Sequence, residues 1–197
     1  MRLLGTLLLF LGAAHAASQP ADIITTIKSF EEDAIKLHKP AREVNCETSR
    51  LFVIKKGPLY ECIKGLEAAV EKGKAVGSSL EGTEPYGPNK QAHETHKAYV
   101  NFSRSHIRLF DLLSEGADTF NISANGHEDR SHAQPKIGKP TYDVLRKVQE
   151  TIDDLSAFLI NTVDVAPYDF DRFVGTLNHS LNTCIGKWKH VCGKKCS

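Results

Sequence analysis

The sequence lacks an excess of charge of either sign. Its 197 residues include 25 Lys or Arg and 24 Asp or Glu, so the formal net charge is +1 at pH 7. Nucleic-acid-binding proteins concentrate basic residues on one face or in one segment, whereas the lysines here are scattered. The one local excess is the C-terminal stretch KWKHVCGKKCS, which we interpret as a solvated tail. The charge pattern therefore argues against a nucleic-acid partner.

The sequence also lacks the motifs of common catalytic sites. It contains no GxSxG, P-loop or dinucleotide-binding glycine pattern, and the acid pairs Glu31-Glu32 and Asp153-Asp154 adjoin polar faces that favour solvated carboxylates. His93 and His96 are three positions apart, which does not match the HExxH zinc motif, and no CxxC pair accompanies them. We therefore predict a protein without enzymatic activity, metal or cofactor. A metal-dependent hydrolase that uses His93 and His96 is a minor alternative.

The one pronounced apolar run, Leu3–Leu11, lies at the N-terminus and is too short to span a bilayer. Arg2 precedes it and the small-residue pattern Ala14-His15-Ala16 follows, which is typical of a cleaved signal peptide. We expect cleavage after Ala16 or Ala17, which removes Arg2 and leaves a secreted chain of zero formal charge. We expect no transmembrane segment, and the C-terminus lacks the apolar tail of a GPI-anchored precursor.

The predicted organisation has three parts. Residues 1–17 are the signal peptide, residues 18–190 form one helical domain, and residues 191–197 form a tail rich in cysteine and lysine. About 180 residues are enough for a single domain with its own core.

Cysteines and glycosylation signals fit an extracellular chain. In an oxidising compartment we expect two disulfides and one remaining thiol, with Cys46–Cys62 as the first expected pair and the pairing of the others left open. The five cysteines are Cys46, Cys62, Cys184, Cys192 and Cys196. Three Asn-X-Ser sequons predict N-glycosylation. They begin at Asn101, Asn121 and Asn178.

Apolar residues recur at helical spacing in five segments, and no segment reads convincingly as a strand. Leu145, Val148, Ile152, Leu155 and Leu159, for example, share one face of the fourth segment. The five predicted helices are Ala21–Lys39, Pro58–Leu80, Lys90–Glu115, Tyr142 to just before Val165, and Asp169–His190. Amphipathic helices joined by short to medium loops predict an all-α bundle, here stapled by disulfides.

Local signals set the expected helix ends. Pro40 should end the first helix and Gly116 the third, and Thr141 is the expected N-cap of the fourth. The polar stretch 124–140 is predicted to be a flexible surface loop.

Two segments leave alternatives open. Residues 51–54, Leu-Phe-Val-Ile, fit either a short helical turn or a strand. The second helix either frays after Lys72 or continues through Gly73 and Gly77, whose lack of side chains would let a helix or a ligand approach closely.

The apolar faces are wider than a narrow bundle seam requires, since Ile24, Ile35 and Ile107 broaden them. Wide faces can enclose a pocket between helices or open onto an apolar surface, although a thick dry core would use the same residues. The candidate lipid-binding residues are Ile27, Phe30, Leu66, Val70, Phe102, Leu109, Phe110, Ile152, Leu155, Phe173 and Leu177.

Three segments carry a family resemblance: ADIITTIKSFEEDAIKL, LYECIKGLEAAVEKGKAVGSSL and VLRKVQETIDDLSAFLINTVDVAP. Together with the last amphipathic helix they resemble the fungal hydrophobic surface-binding protein A family, which includes cell-wall galactomannoproteins, over roughly Ala21–Lys189. The resemblance implies an extracellular, non-catalytic helical bundle that adsorbs to hydrophobic surfaces and helps to recruit a secreted esterase. Some relatives look like carriers that hold fatty acids inside the bundle.

We therefore predict a secreted, glycosylated, non-enzymatic protein that binds a fatty acid or a hydrophobic surface. The alternative is a secreted effector or inhibitor that recognises a host protein or an enzyme. Plant-type invertase and pectin methylesterase inhibitors are also secreted helical bundles, but this sequence does not reproduce the paired cysteines of their N-terminal hairpin.

Overall fold

Helices account for nearly all of the described part of the chain in the computed structural model, which covers residues 19–80, 82–121, 134–165 and 167–192. These residues form five α-helices, one 3-10 helix and no strand, so the prediction of an all-α bundle is confirmed. The elements are α1 (Pro20–Glu43), η1 (Thr48–Ile54), α2 (Pro58–Leu80), α3 (Lys90–Asn121), α4 (Gln134–Thr162) and α5 (Pro167–Cys192). The segment 51–54 is thus helical rather than extended.

The five α-helices pack in a ring. Going round it, α2 contacts α1, α1 contacts α3, α3 contacts α5, α5 contacts α4, and α4 closes the ring against α2. The apolar faces read from the sequence point inward, and Leu145, Ile152 and Leu159 of α4 are all buried. Burial of one large apolar side chain contributes roughly 1.5–3 kcal/mol, so these inward faces are the main source of stability.

A short pairing closes one end of the bundle. The Tyr86 N–H donates to the Thr162 carbonyl and the Asp164 N–H donates to the Tyr86 carbonyl, both at 2.9 Å. Gly87 follows with a φ of +121°, and a Cβ there would lie 2.4 Å from the Asp164 carbonyl oxygen. Glycine is required at this position because a side chain would block the pairing.

Pro40 does not end α1, so this prediction is wrong. The helix continues to Glu43 although Pro40 provides no N–H for an intrahelical hydrogen bond. Ala41 and Val44, in and just after the added turn, are both buried. Packing of the added turn against α3 therefore outweighs the local cost of proline.

Gly116 does not end α3 either. The helix extends to Asn121 and buries Ala117 and Phe120 beyond the glycine. A Cβ on Gly116 would lie 2.8 Å from Val44 Cγ1 and 3.1 Å from the Val44 carbonyl oxygen. The lack of a side chain at Gly116 therefore lets Val44, just after α1, pack closely against α3, and the glycine does not end the helix.

The fourth helix begins earlier than the sequence indicates. α4 starts at Gln134 and includes Pro140, so the predicted loop 124–140 is wrong for its last seven residues, while residues 122–133 lie outside the described part. Thr141 is not an N-cap, because its hydroxyl lies inside the helix and donates to the Ile137 carbonyl at 2.7 Å. Ile137 is buried, which extends the apolar face of α4 by one turn.

The predicted disulfide Cys46–Cys62 is also wrong, because both residues are free thiols, as is Cys184. Cys62 lies on the buried face of α2, where its side chain packs in the core as a small apolar group and not toward the loop. No disulfide joins two described helices, so the helices are held by packing. Cys192 is disulfide-bonded, and Cys196 lies outside the described residues.

Burial suppresses the reactivity of two free thiols. Desolvation raises the pKa of Cys62 to about 12, and the nearby Glu61 carboxylate adds to the shift. Desolvation also raises the pKa of Cys184 to about 12, although the Ser114 hydroxyl and Lys187 oppose the shift. Since the thiolate is the reactive form, both thiols are inert in the folded protein.

Candidate functional site

A cavity of about 480 Å³ lies inside the ring of helices where α2 meets α4. Its size falls within the range of roughly 300–1,000 Å³ that ligand pockets occupy. Buried side chains from four helices form its floor. They are Phe30, Val70, Leu80, Phe102, His106, Val148, Ile152 and Leu155. The half-buried Phe158 and Val76 line its side.

Two glycines one turn apart on α2 determine where the cavity lies. A Cβ on Gly73 would lie 2.2 Å from Thr151 Cγ2, so here the backbone of α2 lies directly against α4. A Cβ on Gly77 would have no atom within 4 Å, although Gly77 also lines the cavity. The helices therefore touch at Gly73 and leave open space at Gly77.

The rim of the cavity is polar. It includes the exposed residues Lys74, Ser78 and Asp154. The Lys74 ammonium lies 2.8 Å from the Glu71 carboxylate one turn earlier in α2. An apolar floor beneath a charged rim suits a ligand with a long apolar part and one polar end.

His106 is the one ionisable side chain on the floor, and it is held neutral. Burial lowers its pKa to about 4, a shift that the nearby His38 reinforces and that the hydrogen bond to the Phe102 carbonyl opposes. The His106 Nδ1 lies 2.9 Å from that carbonyl oxygen. Since a carbonyl oxygen only accepts, Nδ1 carries the proton and Nε2 is the unprotonated nitrogen. The floor therefore adds one neutral imidazole to an otherwise apolar lining.

An ion pair supports the wall between α1 and α2. The Lys72 ammonium lies 2.7 Å from the Asp33 carboxylate and 4.8 Å from the centre of the Phe30 ring. Partial burial raises the pKa of Asp33, but hydrogen bonds from Lys72 and Lys36 outweigh it, so the pKa is lowered overall. The pair thus fixes Lys72 over an aromatic ring that also lines the cavity.

The candidate lipid-binding residues separate into two groups. Five of them line the cavity: Phe30, Val70, Phe102, Ile152 and Leu155. Five others lie in the core outside the cavity lining: Ile27, Leu66, Leu109, Phe110 and Leu177. Phe173 is half-buried, and its ring centre lies 6.3 Å from that of His96 and 6.0 Å from the Arg104 guanidinium carbon.

Twelve of the 17 cavity-lining residues, among them His106, Gly77 and Phe158, are not among the candidate lipid-binding residues read from the sequence. His106 falls on the apolar face of its helix and could have been found. Gly77 was predicted only as a point where a helix or a ligand could approach closely. Phe158 lies between the predicted face positions Leu155 and Leu159, and no sequence signal marked it. Ile35, expected to broaden the apolar face of α1, is instead exposed.

The histidines of the alternative metal site do not meet around a common centre. His93 is exposed, whereas the His96 ring packs edge-on against Phe170 with ring centres 5.1 Å apart. The His96 Nε2 is buried without a hydrogen-bond partner. Within the described ranges, no group of three or more His, Cys, Asp or Glu residues could hold a metal ion.

The sequons differ in accessibility. Asn101 is exposed on α3, while Asn178 is half-buried on α5 with its Oδ1 buried and without a partner. Ser180 of the latter sequon is buried and its hydroxyl donates to the Asp111 carboxylate at 3.0 Å. The side chain of Asn121 lies outside the described part.

Comparison with known proteins identifies no relatives, because no family model, curated protein or solved structure matches this chain. None of the helices in the described part of the chain has the length and apolar character needed to cross a membrane.

Proposed function

We propose that this protein binds a lipid with a single long aliphatic chain, such as a fatty acid, in the cavity between α2 and α4. The observation that carries the proposal is the 480 Å³ space lined by Phe30, Phe102 and Ile152 with an exposed rim at Gly77. A mainly apolar space of this size is a loss of packing for the bundle, and an aliphatic ligand would restore the missing contacts.

The polarity of the lining orients the ligand. The floor carries aromatic and aliphatic groups and a neutral His106, so a carboxylate there would be desolvated without a compensating charge. The rim carries Lys74, Ser78 and Asp154, all exposed to solvent, so a charged group there keeps its hydration. We therefore place the aliphatic chain on the floor and the charged end of the ligand at the rim.

The wider setting is proposed from the sequence. The N-terminal signal pattern supports a secreted protein, the exposed Asn101 supports a glycan on α3, and the missing catalytic motifs support a binding protein and not an enzyme. The three resembling segments support a distant relationship to the hydrophobic surface-binding protein A family. That setting would make the protein an extracellular carrier of apolar compounds.

The test is a titration of delipidated mature protein with a fluorescent fatty acid, in wild type and in two glycine variants. Gly77→Leu places a side chain at the cavity rim where a Cβ meets no atom, so it should obstruct the ligand and weaken binding at least tenfold. Gly175→Leu is the matched control, because Gly175 also has open space around its Cβ but does not line the cavity. We expect wild-type affinity for this control.

Two results would refute the proposal. One is the absence of binding by wild type at micromolar protein. The other is equal binding by wild type and the Gly77→Leu variant, which would place the ligand outside this cavity.

A further inference from the structure

The 3-10 helix η1 presents three exposed aliphatic side chains in four consecutive residues. Leu51, Val53 and Ile54 are 43%, 59% and 62% exposed. Scattered exposed apolar residues are normal, whereas a contiguous group marks an interaction surface. The other exposed large apolar residues of the described chain, Ile35 and Ile160, stand singly on α1 and α4.

Hydrogen bonds and aromatic packing hold η1 in this position. The Asn45 side-chain oxygen accepts the N–H groups of Glu47 and Thr48 at 2.9 Å and so fixes the turn that leads into the helix. Phe52, the one inward-facing residue of the apolar group, packs against Tyr60 of α2 with ring centres 6.1 Å apart. The outward-facing side chains are therefore preorganised, and binding would order little further chain.

Three cations border the apolar group. Arg50 precedes it and Lys55 and Lys56 follow, and all three side chains are exposed. None of the three forms an ion pair with a residue in the described part of the chain. The nearest acids along the chain are Glu47 and Glu61, so this end of the molecule has a local positive excess.

We infer that η1 docks the protein on the surface of an anionic lipid bilayer. In this geometry Val53 and Ile54 enter the boundary between headgroups and acyl chains, while Arg50, Lys55 and Lys56 lie among the lipid phosphates. Apolar burial and charge attraction act together in peripheral membrane binding, and η1 supplies both within seven residues.

A second copy of the chain fits this surface less well. Two copies meeting through η1 would bring their unpaired cations together. Three partly exposed aliphatic side chains also contribute far less than the roughly 800 Å² per partner that a stable protein interface buries. A bilayer instead offers anionic groups and an apolar interior at the same place.

The docking surface is separate from the cavity. η1 packs against the start of α2, whereas the first cavity-lining residue of α2 is Ala69, eleven positions after Pro58. At 1.5 Å per residue this is about 16 Å along the helix axis. The inference is therefore independent of the proposed lipid cavity, and the Gly77→Leu variant should still dock.

The experiment is a co-flotation assay of the full mature chain with vesicles of phosphatidylcholine alone or with about one third phosphatidylglycerol. We expect wild type to float with the anionic vesicles and to lose binding at high salt. The double variant Val53→Ser with Ile54→Ser should reduce partitioning at least tenfold. Lys55→Glu with Lys56→Glu should reduce it by tenfold or more, because each cation near an anionic surface contributes roughly fivefold.

The matched control carries the same number of apolar-to-serine changes elsewhere, Ile35→Ser with Ile160→Ser, and should bind as wild type does. Equal binding to neutral and anionic vesicles would overturn the role of the cations. Unchanged flotation of the Val53 and Ile54 variant would overturn the role of η1. A dimer in sedimentation analysis that this variant abolishes would assign the surface to a second copy and overturn the inference.

Discussion

The two sides of the helical ring are packed very differently. Where α3 meets α5, Leu109, Leu113, Leu177 and Trp188 are fully buried, and the Trp188 indole N–H donates to the Leu113 carbonyl at 3.1 Å. Where α2 meets α4, a 480 Å³ cavity opens to the surface at an exposed rim. One sequence thus builds a filled core on one side and an unfilled space on the other.

Side-chain size explains the difference. The α3–α5 side is filled by leucines, phenylalanines and the single tryptophan, whereas the second half of α2 contributes Gly73, Gly77 and Ser78 to the cavity. Small residues let helices approach at one level, but nothing fills the space where the helices do not touch. The cavity therefore follows from the local composition of α2, within a ring of helices that is otherwise closed.

The largest contrast should come from one substitution made on both sides. Leu109→Ala on the filled side should cost about 4–5 kcal/mol of unfolding free energy, near the upper end for buried leucines. Leu155→Ala beside the cavity should cost about 2–3 kcal/mol, since a cavity-lining side chain has fewer contacts to lose. Urea denaturation of both variants measures the difference. Equal costs would mean that the cavity side is as well packed as the other.

Acidification should destabilise the protein through His106, which is buried and neutral in the cavity floor. An unfolded histidine binds a proton near pH 6.5 and the folded one only near pH 4, so the unfolded state binds more protons between these values. The unfolding free energy should therefore fall by about 2–3 kcal/mol as the pH is lowered from 7 to 4, through this group alone. The charged or titratable groups acting on it from α1 are His38 and Asp33.

The His106→Leu variant measures this contribution, because its stability should lose that part of the pH dependence. His93→Gln is the control, since His93 is exposed and the variant should follow the wild-type profile. A His106→Leu profile parallel to that of wild type would show that this imidazole titrates normally.

The two α2 glycines should respond to alanine with opposite signs. Gly73→Ala forces a Cβ to within 2.2 Å of Thr151 Cγ2 and should destabilise the protein by about 1–3 kcal/mol. Gly77→Ala meets no atom and should stabilise it by up to about 1 kcal/mol through helix propensity. Thermal denaturation compares them, with Gly186→Ala on α5 as a further open position. Two changes of the same sign would contradict the arrangement of α2 and α4.

The smallest effect should come from the ion pair at the cavity wall. Asp33→Asn removes the contact between α1 and Lys72 of α2, and we expect a loss of about 0.5–1 kcal/mol. The pKa of Asp33 is lower in the folded protein than in the unfolded chain. The stabilisation by this carboxylate is therefore fully present at a pH above the unfolded pKa, and it should be lost as the pH falls through the folded pKa. Glu71→Gln, in an exposed pair within α2, is the control and should change little.

Helical periodicity predicted the bundle because each helix carries its own apolar face, which is visible in its local sequence. The spacing of Leu145, Ile152 and Leu159 correctly indicated a buried face on α4. The helix ends at Pro40 and Gly116 were predicted wrongly for a common reason. Both predictions used local breaker rules, whereas the outcome depends on Val44 packing against Gly116, a contact between residues far apart in the chain.

The cavity shows the same limit of sequence reasoning. Gly73 and Gly77 are equivalent in sequence, and Thr151 on another helix makes the first a contact and the second an opening. Five candidate lipid-binding residues face inward and line the cavity. Leu66 and Leu109 also face inward, but they lie in the core away from the cavity. Sequence periodicity identifies the inner face of a helix and cannot identify which part of that face is left without a packing partner.

The two fully buried thiols stand on opposite sides of the molecule, Cys62 on α2 and Cys184 on α5. Each thiol becomes reactive only when its own helix separates from the others. The rate at which a thiol reagent labels each cysteine therefore measures how often that side of the wild-type protein opens. Simultaneous labelling would indicate that the ring opens as a unit. Earlier labelling of Cys62 would indicate that α2 separates from the bundle by itself and gives a ligand access to the cavity.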